Sequence, residues 1–134
     1  MERKVLATHR NGEPVDQVQP VLNVEQLKEL QDAVRKVRVD DAINDYLLEI
    51  VGRTRKHEDL ALGVSTRGAI TLFRAVQGLA FTEGRDYAVT DDVKRLVVPV
   101  LAHRTISRGP MRFAQRSRSQ AILEQILQKV PVPR

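Results

Sequence analysis

Residues 65–84 read STRGAITLFRAVQGLAFTEG, and this stretch decides the predicted fold. Ser65 is a typical N-cap residue, because its hydroxyl accepts a hydrogen bond from an N–H group of the first helical turn. Gly84 is a typical residue for the position just after a helix ends. The apolar residues between them recur at helical spacing and are Ala69, Ile70, Leu72, Phe73, Val76, Leu79, Ala80 and Phe81. So wide an apolar arc predicts a helix that the rest of the protein contacts on several sides.

Four further segments on either side of this stretch also predict helices. Asn23 and Gln26 form a variant capping box at the start of the first. Asp40 is predicted to cap the second, whose apolar stripe is the clearest in the chain and consists of Ile43, Tyr46, Leu47, Ile50 and Val51. Thr90 is predicted to cap the next helix, and the last covers about residues 119–129.

The segments between these helices show no sustained alternation of apolar and polar residues. Val37–Val39 is only briefly β-like, and Leu60–Val64, in a predicted loop, is the one strand candidate before Ser65. Residues 105–118 read as irregular or weakly helical. Residues 10–22 contain an Asn-Gly pair and two prolines, which indicates a linker after a short helix over residues 2–9. We therefore predict an all-α fold, a small bundle of about five helices with short connections.

The composition excludes several classes of protein. The chain has 134 residues, enough for one modest core, and 42% of them are hydrophobic. It has no cysteine, so a disulfide framework, a thiolate nucleophile and a cysteine-based zinc site are excluded. No apolar run is long enough to span a membrane, and the N-terminus lacks the apolar core of a signal peptide. The absence of cysteine fits a cytoplasmic protein, and this is the location we expect. The net charge of +5 permits partners that carry phosphate.

Catalytic motifs are absent from the sequence. Residues 63–67 nearly spell the G-x-S-x-G turn of a serine nucleophile, but Arg67 replaces the last glycine and Ser65 is better explained as a helix cap. The three histidines have no metal-ligand spacing, so we predict no metal site. No glycine is followed by lysine, so the chain has no phosphate-cradling loop of its own. Alone, it is not expected to be an enzyme.

Arg67 is the first residue with a candidate binding role. It falls in the first turn of the predicted helix, where free N–H groups and the positive end of the helix attract an anion. A guanidinium group offers paired donors that suit phosphate. An ordinary exposed arginine is the plain alternative. A cation is mildly unfavourable at a helix N-terminus, which makes the position unusual unless an anion visits it.

A basic segment, residues 103–118, is the second candidate. It contains five arginines with no acid between them, Arg104, Arg108, Arg112, Arg116 and Arg118. Three of these are spaced by four residues and would share a face in a helix. The segment would suit a nucleic-acid backbone, although Phe113 is its only aromatic residue for base stacking. A solvated basic face, or a surface that pairs with an acidic subunit, is the favoured alternative.

Residues 63–104 together resemble the C-terminal lid domain of the MoxR-type AAA+ ATPases. The matching motifs are a G-x-S-P-R-A-like start at Gly63, Ser65 and Arg67, a G-R-D-Y turn at Gly84–Tyr87, a D-V-K start at Asp92–Lys94 and a P-V-L-x-H-R end at Pro99–Arg104. Upstream, YLLEIVGRTR resembles the family helix that ends here at Thr54 and Arg55, and Glu2, Val5 and Leu6 resemble the E-x-x-I-L that follows the nucleotide-binding core. Thr66 departs from the proline usual in the family, and proline is preorganised for a helix start.

The resemblance implies a division of the chain and a role for each part. Residues 1–22 would be a connecting helix and linker from an AAA+ core, and residues 23–134 the helical lid. Arg67 would be sensor 2, reaching toward the γ-phosphate of ATP, with Ser65 and Thr66 supporting the helix N-terminus. ATP and Mg²⁺ would be held by the core and not by this chain alone.

Partners follow from the same resemblance. They would be the core itself, neighbouring subunits of a ring, expected to be a hexamer, and proteins with von Willebrand A domains. Such motors act as chaperones that assemble or activate other complexes. Two alternatives remain: a freestanding basic module that binds nucleic acid through arginines 104–118, and an adaptor that kept the lid fold without the motor.

Overall fold

The computed structural model describes residues 18–109 and 115–133, together with Arg3 and Val15. The described residues form five α-helices: α1 Val24–Arg35, α2 Asp41–Lys56, α3 Thr66–Thr82, α4 Thr90–Leu101 and α5 Gln115–Lys129. Two short strands, β1 Leu60–Leu62 and β2 Ile106–Ser107, and a 3₁₀ helix at Ala102–Arg104 complete the elements. The predicted all-α bundle of about five helices is confirmed. The helix predicted over residues 2–9 lies, apart from Arg3, outside the described residues.

The chain divides into two compact units, residues 1–31 and 32–134. The first contains α1 as far as Gln31. Its predicted capping box is present, since the Asn23 N–H donates to Gln26 Oε1 at 2.9 Å and the Gln26 N–H donates to Asn23 Oδ1 at 2.8 Å. Leu27 and Leu30 of this helix remain exposed.

The second unit is built around an aliphatic core. Each of its four helices contributes one large, fully buried side chain, Ile50, Leu72, Leu101 and Leu123. The predicted stripe of α2 is buried along its whole length. The arc predicted for α3 is narrower than expected, because Ile70 is 49% exposed. The core is therefore formed by close packing of α2 to α5, with α3 and α4 in extensive contact.

The two strands correct the expectation that the connecting segments contain no sheet. β1 pairs with β2 in antiparallel orientation, with Leu60 opposite Ser107 and Leu62 opposite Ile106. The partners are distant in sequence and each strand is very short, so neither shows a periodic pattern of its own. The β-like character at Val37–Val39 corresponds to an isolated parallel bridge between Arg38 and Tyr87.

Two of the predicted caps differ in the structure. Asp40 occupies the N-cap position of α2 but its side chain makes no capping hydrogen bond. Thr90 is the first residue of α4, and the cap position falls on Val89. The Val89 N–H donates to the Asp92 carboxylate at 2.9 Å. The acidic residue three positions later therefore does the capping that was expected of the threonine hydroxyl.

Candidate functional site at the start of α3

The start of α3 has the local geometry that its sequence predicts. Ser65 is in an extended conformation, and its Oγ accepts a hydrogen bond from the Gly68 N–H at 3.3 Å. Thr66 and Arg67 are the first two helical residues. All three side chains of the Ser65–Arg67 segment are exposed. Threonine in place of the family proline is thus compatible with the helix start.

The end of α2 holds this terminus in place. The Thr54 hydroxyl is fully buried; it donates to the Val51 carbonyl at 2.7 Å and accepts from the Val64 N–H at 3.0 Å. Arg55 Nε donates to the Val64 carbonyl at 2.8 Å. Both backbone polar groups of Val64, immediately before the cap residue, are therefore bound by α2. Sequence reasoning matched Thr54 and Arg55 to a motif but gave them no role.

Gly63 allows this close approach of two backbone segments. A Cβ atom at that position would lie 2.6 Å from the Thr54 carbonyl oxygen and 2.7 Å from Arg55 Cα. Real Cβ atoms do not come so close, and the obstacle is backbone rather than a movable side chain. The glycine is required for packing, and it sets the position from which α3 projects.

The Arg67 guanidinium is free in the part of the chain that the structure describes. It is exposed, and no hydrogen bond or ion pair involves it. Its backbone carbonyl, in contrast, accepts from the Thr71 hydroxyl at 2.9 Å. The helix therefore holds the backbone of this residue and leaves its charge available.

Arg104 lies beside the same helical turn. Its Cδ would be 3.6 Å from a Cβ at Gly68, and its Nε is buried without a hydrogen-bond partner. The sequence grouped Arg104 with the basic segment, but the structure places it at the end of the 3₁₀ helix, next to the α3 N-terminus. A buried, unsatisfied N–H group is costly, so this side chain has unused hydrogen-bonding capacity.

The other arginines of the basic segment lie elsewhere. Arg108 follows β2, while Arg116 and Arg118 lie in α5, and all three are exposed. Arg112 lies outside the described residues. Because Arg108 is not helical, it does not share a helix face with Arg116.

Arg85, in the turn that follows the C-terminal end of α3, is paired with carboxylates, unlike Arg67. Arg85 binds both carboxylate oxygens of Asp92, at 2.8 and 2.7 Å, and Glu83 Oε2 at 2.7 Å. These contacts raise the pKa of Arg85 above its ordinary value. Burial alone would raise the pKa of Asp92, but the Arg85 guanidinium and the Val89 N–H hold it below its usual range. This cluster joins α3 to α4 and leaves no free acid or base.

An open apolar cleft of about 410 Å³ lies between α2 and α3. It is lined by Asn44, Leu47, Leu48, Thr66, Ala69, Ile70 and Phe73. Leu48 and Ile70 in its walls are 57% and 49% exposed. Because Thr66 lines the cleft, an apolar surface begins one residue from the free guanidinium of Arg67.

Two other features are absent from the described residues. They contain no group of three or more His, Asp or Glu side chains placed to hold a metal ion. None of the helices among them is both long and apolar enough to cross a membrane. His57 Nδ1 accepts from the Asp59 N–H at 3.2 Å, so that histidine has a local structural contact.

Known proteins similar to this chain were found by sequence and by structure. The family model of the AAA lid domain matches residues 52–126. The Bacillus subtilis protein YeaC is 37% identical over 98% of this chain and 41% of its own length. The chaperone MoxR1 of Mycobacterium tuberculosis is 29% identical over 98% of this chain and 37% of its own length.

A solved structure shows the same similarity. The crystal structure of a proposed ATPase of Cytophaga hutchinsonii matches with a TM-score of 0.80 at 27% identity, covering 99% of this chain and 43% of that one. The chain spans about two fifths of the length of the relatives it matches.

Proposed function

This chain belongs to the AAA lid domain family, and on that premise we propose that it forms the C-terminal lid of a MoxR-like AAA+ ATPase. Residues 1–22 would connect it to a nucleotide-binding core, and residues 23–134 would be the lid. The core would bind ATP and Mg²⁺, and its hydrolysis of the γ-phosphate would supply the free energy. The lid would close over that site and transmit its state to neighbouring subunits of a cytoplasmic ring, expected to be a hexamer.

The free guanidinium of Arg67 at the α3 N-terminus is the observation that carries this proposal. Four other arginines of the described chain bind carboxylates, namely Arg35, Arg53, Arg85 and Arg95. Several exposed arginines, such as Arg74, also lack such a partner, but Arg67 lies in the first turn of α3. A cation at a helix N-terminus costs about 0.3–1 kcal/mol unless an anion is present. A phosphate group held by the core would remove that cost and would bind both the guanidinium fork and the helix terminus. Arg67 fits the role of sensor 2.

Arg104 supports the same assignment from the neighbouring turn. Its buried Nε lacks a partner among the described residues, and its stem packs beside Gly68. Because that atom is buried here, we propose that the Arg104 side chain shifts when the lid closes and that its Nε then meets an acceptor on the core. Ser65 and Thr66 would act less directly, by fixing the turn from which Arg67 projects.

Exposed apolar surfaces also support the proposal that a nucleotide-binding core domain covers part of this chain. One is the cleft between α2 and α3, which begins beside Arg67. Another is the apolar part of the first unit, where Val21 and Val24 are 91% and 62% exposed. Isolated exposed apolar residues are ordinary, but contiguous apolar patches are typical of interfaces.

The rigidity of the second unit would turn phosphate binding into lid movement. Arg67 is bonded through its backbone into α3, and α3 is fixed to α2 by Thr54 and to α4 by the Arg85–Asp92 pair. Losing the phosphate would remove the partner of Arg67 and weaken the closed position. The lid would then change its angle as one body, and in a ring this would move the next subunit. We propose that this movement drives chaperone-like assembly of partner complexes, including proteins with von Willebrand A domains.

Two measurements test the proposal. Reading the coding DNA upstream of the Glu2 codon should show an in-frame extension with a G-x-x-x-x-G-K-[ST] motif. In that longer polypeptide, Arg67→Ala should lower kcat for ATP hydrolysis about tenfold to a hundredfold, with an unchanged circular dichroism spectrum. Arg74→Ala, also on α3 and exposed, is the matched control and should leave kcat unchanged.

The absence of a core upstream would remove the proposed function, and unchanged turnover in Arg67→Ala would remove the sensor 2 assignment alone. Arg67→Lys separates charge from shape. If only a positive charge is needed, lysine should restore most of the turnover; if the guanidinium fork is needed, it should not.

A further inference from the structure

Two clefts with excess positive charge open beside α5. One cleft of about 300 Å³ is lined by Asp59, Ser107, Arg108, Arg118, Ala121 and Ile122. A second, of about 270 Å³, is lined by Arg53, Lys56, His57, Ile126 and Lys129. Because Ile122 and Ile126 are four residues apart, the two clefts open on the same side of α5, one turn from each other. We call these two clefts together the basic groove.

The charges of the basic groove are mostly unpaired. Among the described residues, five cationic side chains line it, and Asp59 is the only carboxylate. Arg53 is bound to Glu49 at 2.7 Å. The remaining four cations have no carboxylate partner among the described residues, and these are Lys56, Arg108, Arg118 and Lys129. A ligand with negative charges would therefore not have to break an existing ion pair at these four positions.

Two guanidinium groups are oriented by backbone carbonyls, one in each cleft. Arg118 Nη1 donates to the Arg108 carbonyl at 3.4 Å, and Arg53 Nη1 donates to the Lys129 carbonyl at 3.2 Å. Each guanidinium has five N–H groups, so these contacts fix the side chain and leave donors for a ligand. Arg118 and Lys129 are separated by about 16 Å along the helix axis. That distance corresponds to about five residues of an extended peptide.

We propose that the basic groove binds an extended acidic segment of a partner protein. Its carboxylates would meet Arg108 and Arg118 in one cleft and Lys56 and Lys129 in the other. The apolar contribution of Ala121, Ile122 and Ile126 to the lining would accept small apolar side chains between the acidic ones. Charge complementarity of this kind selects the partner and its orientation more than it sets affinity. This proposal does not rest on the proposed ATPase function.

The same groove suits nucleic acid less well. None of the described residues that line the two clefts is aromatic, and binding of single strands without sequence preference relies on stacking against aromatic rings. The Asp59 carboxylate is 77% exposed within the lining and would repel an unbroken row of phosphates. A peptide can place an uncharged residue opposite Asp59, whereas each nucleotide brings another phosphate.

Fluorescence anisotropy of the 134-residue chain at low ionic strength tests this proposal. The probes are a short labelled peptide of Asp, Glu and Leu, its counterpart with Asn and Gln in place of the acids, and a labelled single-stranded oligonucleotide. We expect the acidic peptide to bind and the amide peptide not to bind. The double variant Arg108→Gln with Arg118→Gln should weaken peptide binding about tenfold or more, the loss expected from about 1.4 kcal/mol of contacts.

A charge-matched control distinguishes the groove from the overall positive charge. Lys36→Gln with Arg74→Gln removes two exposed cations outside the groove and should leave peptide affinity within about twofold of the parent. Circular dichroism melts establish that both double variants fold. Equal weakening in the two double variants, no binding of the acidic peptide, or tight binding of the oligonucleotide that the peptide cannot displace would each overturn the proposal.

Discussion

The arginine near the C-terminal end of α3 is paired with carboxylates, whereas the arginine at its N-terminal end has a free guanidinium among the described residues. At the C-terminal end, Arg85 binds Asp92 and Glu83, and its charge is used by the fold. At the N-terminal end, Thr54 and Arg55 hydrogen-bond the backbone of Val64 and so fix the start of the helix. The Arg67 guanidinium makes no hydrogen bond or ion pair with a described residue. The comparison shows that the groups that anchor the start of α3 are different from the group that we expect to act there. Substitutions at the two ends should therefore separate stability from function.

The largest loss of stability is expected from a substitution near the C-terminal end of α3. Asp92→Ala removes the partner of Arg85 and the acceptor of the Val89 N–H, both in a buried place, since the Asp92 side chain is 2% exposed. The free energy of unfolding should fall by about 3 kcal/mol. Urea denaturation followed by circular dichroism measures it. Asp91→Ala is the control, because the Asp91 side chain is 77% exposed and an exposed pair contributes less than about 1 kcal/mol.

At the N-terminal end, the corresponding change is Gly63→Ala. The added methyl group would overlap the Thr54 carbonyl, so α2 and the start of α3 must move apart. We expect a loss of about 2 kcal/mol in the same denaturation experiment. Gly78→Ala is a matched control within α3, where a Cβ meets nothing within 4 Å, and it should stabilise the protein by about 0.5–1 kcal/mol. A similar effect of both changes would show that Gly63 is not a packing requirement.

Removal of the Thr54 hydroxyl is expected to lower the free energy of unfolding somewhat less than Gly63→Ala does. Thr54→Val keeps the shape of the side chain but leaves the buried Val64 N–H without an acceptor. The cost should be about 1.5 kcal/mol. Thr54→Ser keeps the hydroxyl and should recover most of that energy, less the lost methyl group. If the serine variant is the less stable of the two, methyl packing rather than the hydrogen bond holds the start of α3.

How much of this could be read from the sequence depended on the distance between partners. The caps at Asn23 and Ser65 were correctly predicted, because each cap joins residues three positions apart. The pairing of β1 with β2 was missed, because its partners lie far apart in the chain. The capping role of Asp92 was missed even though Val89 and Asp92 are only three positions apart, because valine is not a typical N-cap residue and the adjacent Thr90 is.

In the candidate site, too, the local features were predicted from the sequence and the contacts between distant residues were not. The position of Arg67 in the first turn of α3 followed from the local pattern around Ser65. The roles of Thr54 and Arg55 did not, because they depend on tertiary contacts with Val64. The family resemblance includes the residues that make these contacts, which are the T-R that ends α2 and the glycine that precedes α3. It does not show that these residues are in contact.

Acid should affect the C-terminal end of α3 first. The pKa values of Asp92 and Glu83 are below their ordinary range in the folded protein. A carboxyl group with a lowered folded-state pKa stabilises the fold fully above its unfolded pKa, near 3.8 for aspartate, and this contribution is lost as the pH falls through the folded value. Unfolding free energies measured from pH 6 down to about pH 3 should therefore decline. The decline should be shallower in Asp92→Asn than in the parent; equal slopes would remove Asp92 as a source of acid sensitivity.

Arg67 should have the smallest effect on stability. Arg67→Ala removes an exposed side chain with no described partner and relieves an unfavourable interaction with the helix dipole, so the free energy of unfolding should stay within about 0.5 kcal/mol or rise slightly. Arg67→Glu should stabilise the isolated chain by about 0.3–1 kcal/mol, since a negative charge is favourable at a helix N-terminus. Such a result would agree with a role for Arg67 in binding rather than in stability. If Arg67→Glu instead destabilised the chain, Arg67 would have a structural partner, and the difference between the two ends of α3 would disappear.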